Sequence, residues 1–240
     1  MCGRFTLTYA DTETLAADLG VPVESLALYK ARYNIAPTQQ HFVVHMPHED
    51  HELLPATWGL INSWAKDASR AGRQINARGE AVESSPAYRS AFRHRRCVVP
   101  ADGFYEWTGP KDARQPFWIH RPNGGLTLFA GIYESWQPSP GEWQTTFSII
   151  TTSANETVAP IHDRMPVVIP DESVDEWLFA GQQDFALLRR MLAPPPDDLF
   201  VATPASPRVN SVKNDDPGLL RADDEAGPVP DLRERLGGET

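Results

Sequence analysis

Cys2, Glu106 and His162 are the residues whose type and setting point to covalent chemistry, and Asn76 with Arg78 offers polar groups to hold a substrate. Cys2 directly follows the initiator methionine. Methionine is removed when the second residue is small, and cysteine qualifies. The trimmed chain would then carry an α-amine (reference pKa about 7.7–8.0) and a thiol (about 8.5) on one residue. Both groups are partly nucleophilic at neutral pH. Such a 1,2-aminothiol condenses with an aldehyde to an imine, and the thiol closes on the imine carbon to give a thiazolidine. An internal cysteine, whose nitrogen is an amide, cannot do this. A thiol at position two also arises by chance, and position is the whole of the signal.

Glu106 lies in "ADGFYEW", flanked by Phe104, Tyr105 and Trp107. Large apolar neighbours desolvate a carboxylate and raise its pKa toward the range useful for general acid–base work. Strand alternation predicts Phe104 and Glu106 on one face and Tyr105 and Trp107 on the other. A rim carboxylate paired with a local arginine fits the same sequence. His162, in "PIHDRMP", sits in a Pro-bounded turn beside Arg164 and suits a proton shuttle, or a plain surface histidine. In "INARGE", Asn76 and Arg78 would share a strand face, joining an amide to a guanidinium suited to phosphate oxygens. In "WGLINSW", an exposed tryptophan could stack on unpaired bases, while core packing is expected for at least one of Trp58 and Trp64.

Other constellations carry less. His41, His45, His48 and His51 invite a metal reading, but Pro47 and the strand-like "FVV" break the register, so no metal and no organic cofactor is expected. With only two cysteines a disulfide framework is excluded, and Cys97 in "RRCVVPADG" reads as a small buried thiol, whereas Cys2 lacks that apolar neighbourhood. No phosphate-binding glycine loop and no GxSxG elbow occurs. No apolar run reaches the roughly 18 residues of a membrane span, and no signal-peptide pattern begins the chain. A soluble protein of a reducing, intracellular compartment is expected, cytoplasmic and working as a monomer. The net charge of −10 argues against general polyanion binding. Yet residues 58–121 hold eleven Lys or Arg against six acids, while residues 210–240 hold eight acids and four bases. A basic middle suits a localised anionic ligand or a solvated charged face.

The elements that must position these residues are mostly strands. "YADTETLAADLG" predicts a helix capped by Asp11 or Thr12 and stopped by Gly20. "ARYNIAPTQQ" reads as an ordered loop and "HFVVHM" as a strand. Ser85 and Pro86 predict a helix running to about Arg95. Strands follow in "CVVPADGFYEW", "PFWIHR", "LTLFAGIYESW" and "TTFSIITTSA". "ANETVAPIH" reads as a short helix, "MPVVIP" as a strand, "SVDEWLFAG" and "FALLRRML" as helices, and "FVATPASPRVNSV" as extended chain. No βαβ alternation is visible. The expectation is one α+β domain over residues 1–220, with a mostly antiparallel sheet or open β-barrel and peripheral helices, then an acidic, mobile tail over 221–240.

The ordered set "MCGRF", "YNIAPTQ", "WGLI..W", "INAR.E", "RC..PADGFYEW", "IHDRMP" and "RVN.VKNDD", from Cys2 to about Asp216, resembles the SOS-response-associated peptidase family. The resemblance implies a sensor of abasic sites in single-stranded DNA, acting in the DNA damage response through a thiazolidine crosslink between Cys2 and the ring-opened sugar. It implies that Glu106 manages protons for the Cys2 amine and for crosslink reversal, that His162 assists ring opening and imine formation, and that Asn76 orients the N-terminal residue and sugar. Arg4, Arg78 and Arg164 would contact phosphates, and Pro37, Trp64 and Thr151 would line the strand-binding groove. Associated strand cleavage by β-elimination and self-removal of Met1 belong to the same picture. Asn62 stands where the family commonly has proline, and Gly79 and Ala81 replace frequent hydroxyl residues.

Two rival readings remain. One is an N-terminal-nucleophile cysteine peptidase in which the Cys2 amine serves as base. The other is a non-covalent reader of modified DNA, which needs the basic middle but no free amine.

Overall fold

The computed structural model describes residues 2–222 except 111 and 183, so the acidic tail lies almost wholly outside the described residues. In chain order the elements are β1 (Phe5–Leu7), α1 (Thr12–Leu19), β2 (Arg32–Ile35), β3 (Gln40–His45), β4 (Glu52–Trp58) and β5 (Asn76–Arg78). Next come α2 (Gly79–Val82), α3 (Arg89–His94), β6 (Arg96–Ala101), β7 (Gly103–Thr108), β8 (Gln115–His120) and β9 (Thr127–Ser139). The remainder are β10 (Glu142–Ser153), β11 (Arg164–Pro166), α4 (Val174–Leu178), α5 (Phe185–Met191) and β12 (Val201–Pro204).

Two sheets result, and the fold is α+β. The first has the order β12-β8-β7-β1-β2, antiparallel throughout. In the second, β10, β4, β3, β6 and β9 pair in turn and β9 returns to β10. The ring is therefore closed where an open barrel was an alternative expectation. Its closure follows from strand length. β9, at 13 residues, pairs with β6 through Thr127–Ile132 and with β10 through Gly131–Ser139. Most pairings are antiparallel; β4 and β5 run parallel to β10.

Phe5 packs at the join between the sheets, edge-on to Trp58 at 5.1 Å and to Phe129 at 6.4 Å. Trp58 is buried and donates its indole N–H to the Ile75 carbonyl, while Trp64 stands 69% exposed, so one tryptophan of the pair is core and one is not. The chain passes between the sheets at Asp102, whose carboxylate accepts from Thr6 Oγ1 at 2.5 Å and from the Thr8 backbone N–H at 2.6 Å. That corner anchors one end of β1. Gly103 follows because Trp118 lies against it: a Cβ there would meet the indole nitrogen at 2.2 Å.

Helix α1 is capped as expected, Asp11 accepting from the N–H groups of Glu13 and Thr14 and Gly20 turning left-handed at φ 65°. Other expectations are corrected. Residues 32–35 of the supposed loop form strand β2, held by β1 on one side. Buried Asn34 substitutes for a further strand on the other, donating its amide to the carbonyls of Val209, Ser211 and Asn214. The helix expected from Ser85 begins only at Arg89, after a turn. Residues 155–162 form successive turns in place of a helix, because Pro160 disfavours helical backbone at Ala159 and supplies no N–H. Among the described residues, no helix is long and apolar enough to cross a membrane.

Candidate active site

The pairing of β1 with β7, Phe5 opposite Phe104, sets the geometry. Tyr105 N–H donates to the Arg4 carbonyl at 2.9 Å, so continuing the register toward the N-terminus sets Gly3 opposite Glu106 and Cys2 one residue beyond, close enough for the Glu106 charge to act on its thiol. Alternation along β7 holds as expected: Phe104 joins the main core and Tyr105 a second cluster with Trp107 against it. Glu106 therefore points inward and is only 3% exposed. Burial pushes its carboxyl up to about 7, opposed by the positive charge of the amine that begins the chain.

Cys2 departs from expectation. It is fully buried within the main apolar cluster. Its Sγ lies 3.7 Å from the Arg4 carbonyl oxygen. Burial, reinforced by the negative charge of Glu106, drives the thiol far above its usual range. The sulfur is thus held as a thiol and needs a base before it can attack. The β1 pairing dictates this burial, and no local apolar run announces it.

Asn76 reaches Cys2 from the other sheet. It pairs with Ile149 of β10, and its Nδ2 donates to the Cys2 carbonyl at 2.8 Å. Its Oδ1 is buried with no hydrogen-bond partner among the described residues. His162 lies on the loop between β10 and β11, whose ends are closed by Ala154 N–H to the Asp163 carbonyl at 3.0 Å. The Arg164 backbone N–H donates to His162 Nδ1 at 2.9 Å, which puts the neutral ring's proton on Nε2. Burial, aided by the charge of the N-terminal amine, holds the ring below its ordinary pKa. Asp163 Oδ1 lies 2.9 Å from the same Nδ1 and pulls the other way, but its carboxylate is 85% exposed and burial outweighs it. The net effect favours the neutral imidazole.

The expected phosphate contacts divide. Arg78 is exposed. Arg4 instead donates to Asn34 Oδ1 at 3.2 Å and to the Val209 carbonyl at 2.7 Å, tying the N-terminal strand to the segment that wraps β2. Arg164 binds both Glu80 carboxylate oxygens and the carbonyl of buried Thr151. Thr151 itself lies in β10 opposite Arg78. Trp64 borders a cleft of about 300 Å³ with Lys66 and Arg70. Pro37 precedes Thr38, a β-branched residue at φ 69° whose N–H reaches the Trp58 carbonyl at 2.8 Å. A left-handed threonine is costly, and such strain gathers where a loop must present a particular side chain.

Sequence reasoning missed Arg114, which lines a cleft of about 650 Å³ with Trp107 and Asn210 and whose charge acts on both Glu106 and His162. No motif marks it; only the β7–β8 hairpin brings it there. It also missed the structural duty of Asp215, which accepts from the N–H groups of Tyr33 and Asn34.

Named relatives resemble this chain in sequence, and solved structures share its architecture. Abasic site processing protein YoqW of Bacillus subtilis is 38% identical over 227 residues, covering 92% of this chain and 100% of that protein. Abasic site processing protein HMCES of Gallus gallus is 30% identical over 224 residues, covering 80% of this chain and 66% of that protein. A crystal structure of a Bacteroides thetaiotaomicron protein, 24% identical, superimposes with a TM-score of 0.81 over 92% of this chain and 100% of that one. A phage-related protein from Bordetella bronchiseptica, 28% identical, does so at 0.65 over 85% and 93%. The sequence profile of the SOS response associated peptidase family matches residues 1–212, and the chain belongs to that family.

Proposed function

We propose that this protein, once Met1 is removed, captures the ring-opened sugar of an abasic site in single-stranded DNA as a thiazolidine on Cys2. The names of its relatives support abasic DNA as the substrate class. The observation that carries the chemistry is the convergence on Cys2 of a buried carboxyl with a pKa of about 7 and the Asn76 amide.

The reaction runs in two additions. Glu106, as carboxylate, takes a proton from the Cys2 ammonium; the freed amine attacks the C1′ aldehyde, and a proton shifts from the new nitrogen to the alkoxide to give a neutral carbinolamine. Glu106 then returns that proton to the carbinolamine hydroxyl, which leaves as water to give an iminium. The thiol adds to the same carbon, its proton passing to Glu106, and the ring closes with one water lost overall. Neutral His162 hydrogen-bonds from Nε2 to the sugar ring oxygen during opening, while the proton leaving the C1′ hydroxyl reaches that oxygen through solvent, so the imidazole keeps its own proton. Asn76 fixes the Cys2 carbonyl so that amine and thiol face one carbon. Arg78 meets a phosphate, while Pro37, Trp64 and Thr151 border the path of the strand. An iminium that escapes ring closure loses the 3′ phosphate by β-elimination, a minor strand-cleaving activity. The free thiol requires a reducing cytoplasm, where the protein acts as a monomer at the nucleoid.

The peptidase reading is disfavoured because it needs the buried, protonated thiol to attack an amide carbonyl first, without the activated iminium that the amine supplies in sugar capture. Trimmed protein incubated with abasic single-stranded DNA should yield a heat-stable adduct in denaturing electrophoresis. Blocking the aldehyde beforehand with methoxyamine should abolish it. Equal yield on blocked or undamaged DNA would contradict the proposal.

A further inference from the structure

Arg164 is an internal strut. Its Nη1 donates to Glu80 Oε1 at 2.5 Å, and its Nη2 donates to Glu80 Oε2 at 2.9 Å and to the Thr151 carbonyl at 2.6 Å. Its Nε is also buried, without a hydrogen-bond partner among the described residues. The arginine side chain is only 12% exposed, against 59% for Glu80. Three of the five guanidinium N–H groups are thus spent on the protein's own oxygens.

What the strut joins matters more. Glu80 lies two residues beyond Arg78, the end of the strand that carries Asn76. Thr151 is in β10, paired with Arg78 on one partner strand and with Pro166 on another. Arg164 begins β11, and its own backbone N–H fixes His162 Nδ1. Three segments that bear or support the reactive groups are therefore locked by one bidentate pair.

We propose that Glu80 is a positioning residue: through Arg164 it fixes the His162 loop relative to the strand bearing Asn76, setting the geometry for sugar capture. This rests on the proposed function and deepens it. Positioning of reacting groups is worth large factors, since displacement by about 1 Å can cost about 100-fold in rate. Glu80 touches neither sugar nor reacting atom in this account. Its loss should slow the maximal rate and leave binding alone.

The test compares trimmed wild-type protein, Glu80→Gln and Glu80→Asp. Non-covalent affinity is measured on undamaged single-stranded DNA, and crosslinking rate at saturating abasic DNA. Glu80→Gln should crosslink about 10-fold more slowly with affinity within about twofold, and Glu80→Asp, which keeps the charge, should recover most of the rate. Tighter binding with an undiminished rate would overturn the inference, because Glu80 would then merely compete with phosphate for Arg164. An unchanged rate, a Glu80→Asp no faster than Glu80→Gln, or a rate loss matching a loss of folded fraction by circular dichroism would overturn it equally. If wild-type protein forms no adduct, the proposed function falls instead.

Discussion

Cys2→Ala is expected to lose the heat-stable DNA adduct down to background while still forming a borohydride-trappable imine. Alanine keeps the α-amine but removes the sulfur that closes the ring. The structure makes the separation sharp, because the resting thiol is fully buried and held protonated. The amine must therefore react first and the sulfur second, under base assistance. An open iminium left without its trap is the species that undergoes β-elimination, so strand cleavage should rise as the stable adduct disappears. Denaturing gels with and without borohydride read both outcomes. A heat-stable adduct in undiminished yield from Cys2→Ala would contradict the mechanism.

Glu106→Gln should trade activity for stability. A positioned proton carrier contributes about 100- to 10,000-fold, and capture should slow by about that lower figure or more. Because Glu106 is needed first as carboxylate, the ratio of wild-type to Gln rate should grow as pH rises through about 7, where burial has moved its pKa. The ratio is the informative quantity, since the amine's own titration is common to both proteins. Stability moves oppositely. A carboxyl whose pKa is raised from 4.5 to about 7 in the folded chain binds its proton more tightly there than when unfolded. Folding is therefore unpenalised below about pH 4.5, loses stability as pH climbs from there to about 7, and keeps that full penalty above it. At 1.36 kcal/mol per unit, the neutral isostere should gain about 3 kcal/mol at pH 8 and almost nothing at pH 4. Urea unfolding at the two pH values checks this. Equal stabilities at pH 8 would mean that Glu106 is not buried as a charge.

Much of this site was legible in sequence because its chemistry depends on local context. Aromatic neighbours and strand alternation place Glu106 on the inward face with Phe104, as found. Position alone raises the aminothiol question at Cys2. The burial of that sulfur was not legible, because it comes from β7 pairing with β1 across nearly a hundred residues of chain. The same holds for β2: "RYNIAP" looks like loop until Asn34 is seen collecting three carbonyls from residues 209–214. Motif residues carried a subtler ambiguity. The family resemblance implied phosphate contacts for Arg4 and Arg164, and here both hydrogen-bond the protein's own oxygens. Barrel closure escaped because it depends on how two long strands share partners, which no hydrophobic period encodes.

Intact-mass measurement of trimmed protein and of protein retaining Met1, each treated with abasic and with undamaged single-stranded oligonucleotide, tests the central proposition most directly. The account predicts one adduct, trimmed protein plus abasic DNA, heavier than the sum's protein component by the oligonucleotide less one water. Capped protein should bind the strand and show no mass change. A stable adduct on the capped chain, or none on the trimmed one, would contradict the claim that a paired amine and thiol perform the capture.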